Sequence, residues 1–262
     1  MNRPPCSLTL LLAAVLTLAG CSNSGGGSKG ADSASAEPPA EVQLRLIAKK
    51  GDKFTMNLEM DAEADVSGLK LPANVPAEQK AILQGPQKMT VRSKEERTVT
   101  EVKGDEIKIE IKNLSFSAEG TGTLKQAAAG MTATEKDKVE TRTYDNFNRR
   151  ILAPGDRESN PLSVVFPEQP IKPGYTWSND TEMNGMRVKA NYKFERLETV
   201  NGKSCAVISL MFSNSASVTS PGPLLLWVDR SNGWPVKGEG KVELDSAETG
   251  LKTNLTFRMS AD

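Results

Sequence analysis

Few side chains in this chain could do chemistry, and the missing ones narrow the field first. The 262 residues include no histidine, which removes Ser-His-Asp and Cys-His nucleophile pairs and the zinc sites that draw on imidazole. A handful of short spacings is left. Ser67 and Lys70 stand at the Ser-x-x-Lys interval by which a lysine amine reaches a serine nucleophile on a helix, but Gly68 and Pro72 oppose that helix. Asp61, Glu63 and Asp65 place three carboxylates at alternate positions, as at the start of a calcium loop. Such a loop needs glycine and glutamate further on, where this chain has Val66 and Pro72, so an acidic solvated turn is the plainer reading. Glu95-Glu96 and Asp105-Glu106 offer a general acid and base, and they make a carboxylate-based envelope hydrolase the alternative to a binding role. Cys205, in Cys205-Ala206-Val207-Ile208, reads as a small buried hydrophobe. None of these patterns asks for a metal or a cofactor, and a non-enzymatic binding role is the leading expectation.

The methionines point toward binding. Met56 and Met60, and again Met183 and Met186, flank two apolar strands, and Trp177 opens the second of them. Methionine is unbranched and polarisable, fills irregular space and recurs on apolar binding surfaces. Met56, Met60, Trp177, Met183 and Trp227 are therefore the candidate lining of an apolar groove for a lipid or other apolar small molecule. Gap-filling in a closed core is the competing use.

These residues sit in segments that alternate with period two, the mark of strands with one wet face. Phe54, Met56, Leu58 and Met60 alternate with Thr55, Asn57 and Glu59, while Ile107, Ile109 and Ile111 alternate with Lys108, Glu110 and Lys112. Val188, Ala190, Tyr192 and Phe194, the pair Val242 and Leu244, and finally Leu255, Phe257 and Met259 repeat the theme. One-sided strands favour antiparallel pairing. Asn201-Gly202, Lys103-Gly104-Asp105 and Asn232-Gly233 supply the turns. Pro76 to Gln84 is a short helix candidate, Lys125 to Val139 is ambiguous between helix and strand, and the proline-rich 153–173 reads as a crossing segment. The expectation is an all-β fold with minor α content: a curved antiparallel sheet or incomplete β-barrel of about ten to twelve strands. Gly51-Asp52-Lys53-Phe54, with Glu59-Met60, is echoed by Gly174-Tyr175-Thr176-Trp177, with Glu182-Met183, an echo that either two similar halves or a shared turn-then-strand grammar would produce.

The amino end carries an address. Arg3 precedes an apolar run from Leu8 to Leu18, about 16 Å long as a helix, against about 30 Å of hydrocarbon in a bilayer. That is the layout of a secretory signal. Leu18-Ala19-Gly20-Cys21 resembles the lipobox of bacterial lipoproteins, which are cut before a cysteine that carries diacylglycerol. The resemblance implies loss of residues 1–20, lipid on Cys21 and a durable membrane anchor, since each buried methylene adds about 0.8 kcal/mol. Ser22 at the next position implies the outer membrane, facing the periplasm. Residues 21–40 then form a Gly/Ser/Ala-rich linker too poor in large apolar side chains to fold. Its nineteen residues after Cys21 have a root-mean-square reach of about 24 Å. The folded domain is expected at 41–262.

The segment Leu226-Trp227-Val228-Asp229-Arg230-Ser231-Asn232-Gly233-Trp234-Pro235-Val236 resembles the aspartate, glycine, proline turn of LolA-like proteins. Phe166 to Trp177 is similar to a stretch of uncharacterised bacterial lipoproteins. The LolA-like resemblance implies an open antiparallel barrel that holds acyl chains in its concavity. The expected partners are the membrane through the lipid, an apolar ligand, and a protein of the envelope, whether bound or as a complex in which this chain is a structural accessory subunit. With 33 Lys and Arg against 33 Asp and Glu, no basic surface for nucleic acid is expected.

Overall fold

The computed structural model describes residues 41–65, 87–152, 163–183, 186–213, 218–219, 221–246 and 251–262. Alternating sequence becomes long strands. The first three are β1 (Lys53–Asp65), β2 (Gln87–Lys103) and β3 (Glu106–Gly120). A helix, α1 (Leu124–Glu135), leads to β4 (Val139–Tyr144) and the short β5 (Arg150–Ile151). After a crossing segment come β6 (Thr176–Met183), β7 (Met186–Val200), β8 (Lys203–Ser213), β9 (Val218–Thr219), β10 (Leu224–Asp229), β11 (Pro235–Ser246) and β12 (Leu251–Ala261). They form one sheet in the order β5-β4-β3-β2-β1-β12-β11-β10-β8-β7-β6, with β9 beside β11. All pairs are antiparallel, and because β5 and β6 remain edges the curved sheet is open, as the one-sided strands anticipate. The helix candidate at 76–84 and the Ser67/Lys70 pair lie outside the described residues.

The concave face holds the main core. Three pieces of non-strand chain cover it. Leu124 and Ala128 of α1 pack on it, as do Val42, Leu44 and Leu46 of the N-terminal segment and Val164, Phe166 and Ile171 of the crossing segment. That crossing segment is a strap between the two sheet edges. On the β4–β5 side, Phe166 N–H donates to Phe147 O at 2.8 Å and Asn148 Nδ2 donates to Val164 O at 2.9 Å. On the β6–β7 side, Trp177 Nε1 donates to Val165 O at 2.7 Å and Tyr192 Oη donates to Ser163 O at 2.9 Å. Four residues of strap thus reach both edges, which requires a strongly curled sheet at this end.

The strap is locked from outside by two guanidinium groups on one ring. Arg45 lies 3.9 Å and Arg149 4.6 Å from the Phe147 centroid, a cation–π arrangement favoured by the ring's negative faces. Arg45 also donates to Pro167 O (3.1 Å) and Glu168 O (2.7 Å), while Arg149 pairs with Glu168. The N-terminal segment must approach the β10–β11 turn closely here. A Cβ at Gly233, whose φ is +76°, would strike the Arg45 carbonyl, so only glycine fits.

The echo between the halves has a geometric counterpart. Gly51 (φ +94°) and Gly174 (φ +91°) both precede a strand. Gly51 N–H donates to Val99 O and Val99 N–H to Asp52 O; Gly174 N–H donates to Phe194 O and Phe194 N–H to Tyr175 O. A β-bulge follows at the next residue in each case, Thr100 and Glu195. The four-strand orders β4-β3-β2-β1 and β10-β8-β7-β6 run the same way along the sheet.

Candidate functional site

The concave face of β1, β2, β3 and β4 joins apolar side chains to a charged group. Register dictates the arrangement. Phe54 faces Arg97, Met56 faces Glu95 and Leu58 faces Ser93 across β1 and β2. Arg97 in turn lies opposite Ile111, Val99 opposite Ile109 and Glu95 opposite Asn113. On β4, Glu140 faces Ile111, Arg142 faces Ile109 and Tyr144 faces Ile107. Two arginines and two glutamates are thereby set among isoleucine, valine, phenylalanine and methionine.

Their pairing is tight. Arg97 donates through Nε (3.1 Å) and Nη2 (2.9 Å) to Oε2 of Glu95, with side chains only 15% and 9% exposed. Arg142, 9% exposed, pairs with Glu140, which is 30% exposed. Burial works to lower the Arg142 pKa, but Tyr144 and Glu140 outweigh it and hold the guanidinium above its usual value, with Glu95 adding to them. Arg142 Nε is buried without a hydrogen-bond partner. Such an orphan donor costs about 1–3 kcal/mol.

Around this group the apolar cover is incomplete. Phe116, Met131, Trp234 and Met259 pack against the core but are only half-buried, and Phe54 beside them is half-buried as well. Phe54 and Trp234 meet with ring centroids 4.3 Å apart, and Arg97 lies 5.9 Å from the Phe54 centroid. The face therefore carries half-buried aromatic and methionine side chains, with a charged group beside Phe54.

The residues singled out from sequence are dispersed. Met56 and Met60 are on the concave face, 2% and 3% exposed, and form its floor. Trp177 is on the same side but is committed to the strap, stacked beside Tyr175 (6.1 Å) and Tyr192 (5.3 Å). Met183 ends β6 opposite Met186, and its side chain lies outside the described residues. Trp227 is on the opposite face, in a second cluster with Cys205, Val207 and Val236, beneath the Lys237 ammonium at 4.3 Å. The five are not brought together. Arg97, Arg142 and Glu140 are the members that sequence reasoning missed; Glu95 was considered only as the neighbour of Glu96. Adjacent strand positions face opposite sides, and Glu96 points outward to Lys53 at 3.0 Å.

The other motifs resolve into surface contacts. Asp61 accepts from Thr90 Oγ1 at 2.7 Å, Glu63 pairs with Lys88 at 2.8 Å, and Asp105 accepts from Asn146 at 2.9 Å. Among the described residues there is no group of three His, Cys, Asp or Glu that could hold a metal ion. A trough of about 520 Å³ beside β12 is bounded by the charged Glu63, Lys88, Lys241 and Glu243 and by Ala62, Met89, Val242 and Leu255 of the core. Among the described residues no helix is long and apolar enough to cross a membrane.

Cys205 is fully buried, and burial, with Asp229 adding to it, pushes its thiol pKa up. The thiolate is the reactive form. Iodoacetamide at pH 8 is therefore expected to leave Cys205 unmodified in the folded protein and to alkylate it in urea; rapid modification of the native chain, read by mass spectrometry, would contradict this placement.

No protein-family model matches the chain, and no curated protein matches it. Among solved structures, lipovitellin aligns with 82% of this chain and 25% of its own length, at 7% identity and a TM-score of 0.44. The chain thus spans about a quarter of lipovitellin. A Bacteroides fragilis protein with a YmcC-like fold aligns over 82% and 97% of the two chains, at 11% identity and a TM-score of 0.31. A LolA superfamily protein from Nitrosomonas europaea aligns over 82% and 88%, at 12% identity and a TM-score of 0.18. All three are distant likenesses.

Proposed function

We propose that this chain is a lipid-anchored binding module of the bacterial envelope, held through Cys21 and the linker at 21–40, that takes an apolar or amphiphilic ligand against its concave face without chemical turnover. The observation that carries this reading is the open sheet with half-covered Phe54, Phe116, Met131, Trp234 and Met259 on its inner side. Exposed aromatic and methionine area of this kind is costly in water and is the usual material of apolar sites. The lipobox supports the anchor, and Ser22 supports the outer membrane.

Two measurements test it. Radiolabelled palmitate should enter the chain in growing bacteria and fail to enter the Cys21→Ala variant. Organic extraction of the purified protein should release an amphiphile visible by mass spectrometry, and adding it back should raise the melting temperature. Absence of label counts against the anchor; an empty extract with no thermal response to added lipids counts against the binding role.

A further inference from the structure

We propose that the ligand is an amphiphile with an anionic head, a carboxylate or phosphate, and that Arg142 receives it. The inference rests on the apolar-binding reading above and names the class of ligand. Four observations carry it. Arg142 is a guanidinium buried to nine-tenths on a mainly apolar face, and its Nε has no acceptor. Arginine is never deprotonated in a protein, so Arg142 keeps its charge at every physiological pH. The cluster is not symmetrical: Arg97 is held by Glu95 through two hydrogen bonds, both side chains being shielded, whereas the carboxylate paired with Arg142, beside the neutral Tyr144 hydroxyl, is Glu140, the most exposed member. Glu140 can therefore turn to water while the other three stay, leaving two guanidinium groups against one carboxylate. Finally, the group lies beside apolar residues of the same face, with Ile109 opposite Arg142 and Phe54 opposite Arg97, so a head placed here leaves its chain on apolar surface.

A planar guanidinium fork suits an oxyanion with two free oxygens, and such charge-assisted bonds are about twice as strong as neutral ones. A neutral alcohol of equal chain length would gain the same apolar contact but offer Arg142 a single uncharged acceptor in place of the charge-assisted pair. The site thus selects by head group and tolerates variation in the chain.

The test uses the full chain in nonionic detergent and palmitate, hexadecyl phosphate, hexadecanol and inorganic phosphate as probes, with bound fraction read by native mass spectrometry and competition. Palmitate and hexadecyl phosphate are expected to bind at least about tenfold more tightly than hexadecanol. Arg142→Gln should reduce that ratio to near one, and Arg142→Lys should retain part of it. Glu140→Gln, which takes the paired carboxylate from Arg142, should tighten palmitate several-fold relative to hexadecanol. The ratio measured on the unaltered protein stands even if a variant fails to fold. Equal binding of palmitate and hexadecanol would overturn the head-group assignment and leave the apolar reading in place. Inorganic phosphate binding as tightly as hexadecyl phosphate would overturn the amphiphile in favour of a free anion, and failure of all four probes would overturn both readings.

Discussion

Replacing Phe166 by alanine is expected to remove about 3–5 kcal/mol of stability, the usual loss when a fully buried phenylalanine is truncated. Phe166 is among the largest wholly buried side chains and belongs to the strap, where Val164 and Ile171 are buried with it. Its backbone hydrogen bond to Phe147 survives the substitution, so the loss is one of packing. The cavity also has a local consequence. Trp177 donates to the adjacent Val165 carbonyl, and loosening of the strap should expose its indole. Urea unfolding followed by tryptophan fluorescence checks both points: a lower midpoint, and a red-shifted native emission before the transition. A loss under about 1 kcal/mol, typical of surface substitutions, would mean that the strap lies on the domain without closing its core.

Glu95→Ala is expected to cost a similar amount, about 3–5 kcal/mol, for a different reason. The substitution leaves Arg97 inside the concave face without the carboxylate it is hydrogen-bonded to, and takes a smaller electrostatic support from Arg142. An uncompensated buried charge is far worse than a missing contact. The paired replacement Glu95→Leu with Arg97→Met should recover most of the loss, because exchanging a buried ion pair for apolar residues of like volume is often neutral or stabilising. Stability of the two single variants and the double, measured in urea, decides the matter. If Glu95→Ala loses no more than an exposed pair would, about 0–1 kcal/mol, the cluster is solvated and its role in a binding face falls.

The sequence was most informative where a strand has one wet side. Ile107, Ile109 and Ile111 announce β3, and the same alternation gives β1, β7 and β12 their inward faces. Legibility fails at β8 and β10, which are buried on both sides. Cys205 to Leu210 forms one continuous buried run, so periodicity cannot say which side each residue takes, and Trp227 fell on the face opposite to the methionines. The helix at 124–135 was ambiguous because Gly130 and the threonines weaken it. Tertiary contact settles it: Ala118 N–H donates to Thr132 Oγ1, and Asn113 donates to the Glu135 carbonyl at the helix end.

The charged centre of the concave face was the least legible part. Arg142 and Glu95 are far apart in sequence and share one face only because β3 places β4 and β2 on its two sides. One signal was present. Glu95 and Arg97 occupy the inward register of β2, continuing Met89, Val91 and Ser93, and charged residues at inward positions break the apolar alternation. Such a break costs stability, and its position within a strand marks where a polar function is to be sought.

The most direct measurement of the central claim is photo-crosslinking with a diazirine-bearing palmitate, followed by peptide mapping of the adducts. Adducts are expected on concave residues of β1, β12 and the β10–β11 turn, among them Phe54, Met259 and Trp234. Adducts confined to the opposite face around Trp227, or labelling no greater than that of the urea-unfolded chain, would contradict it.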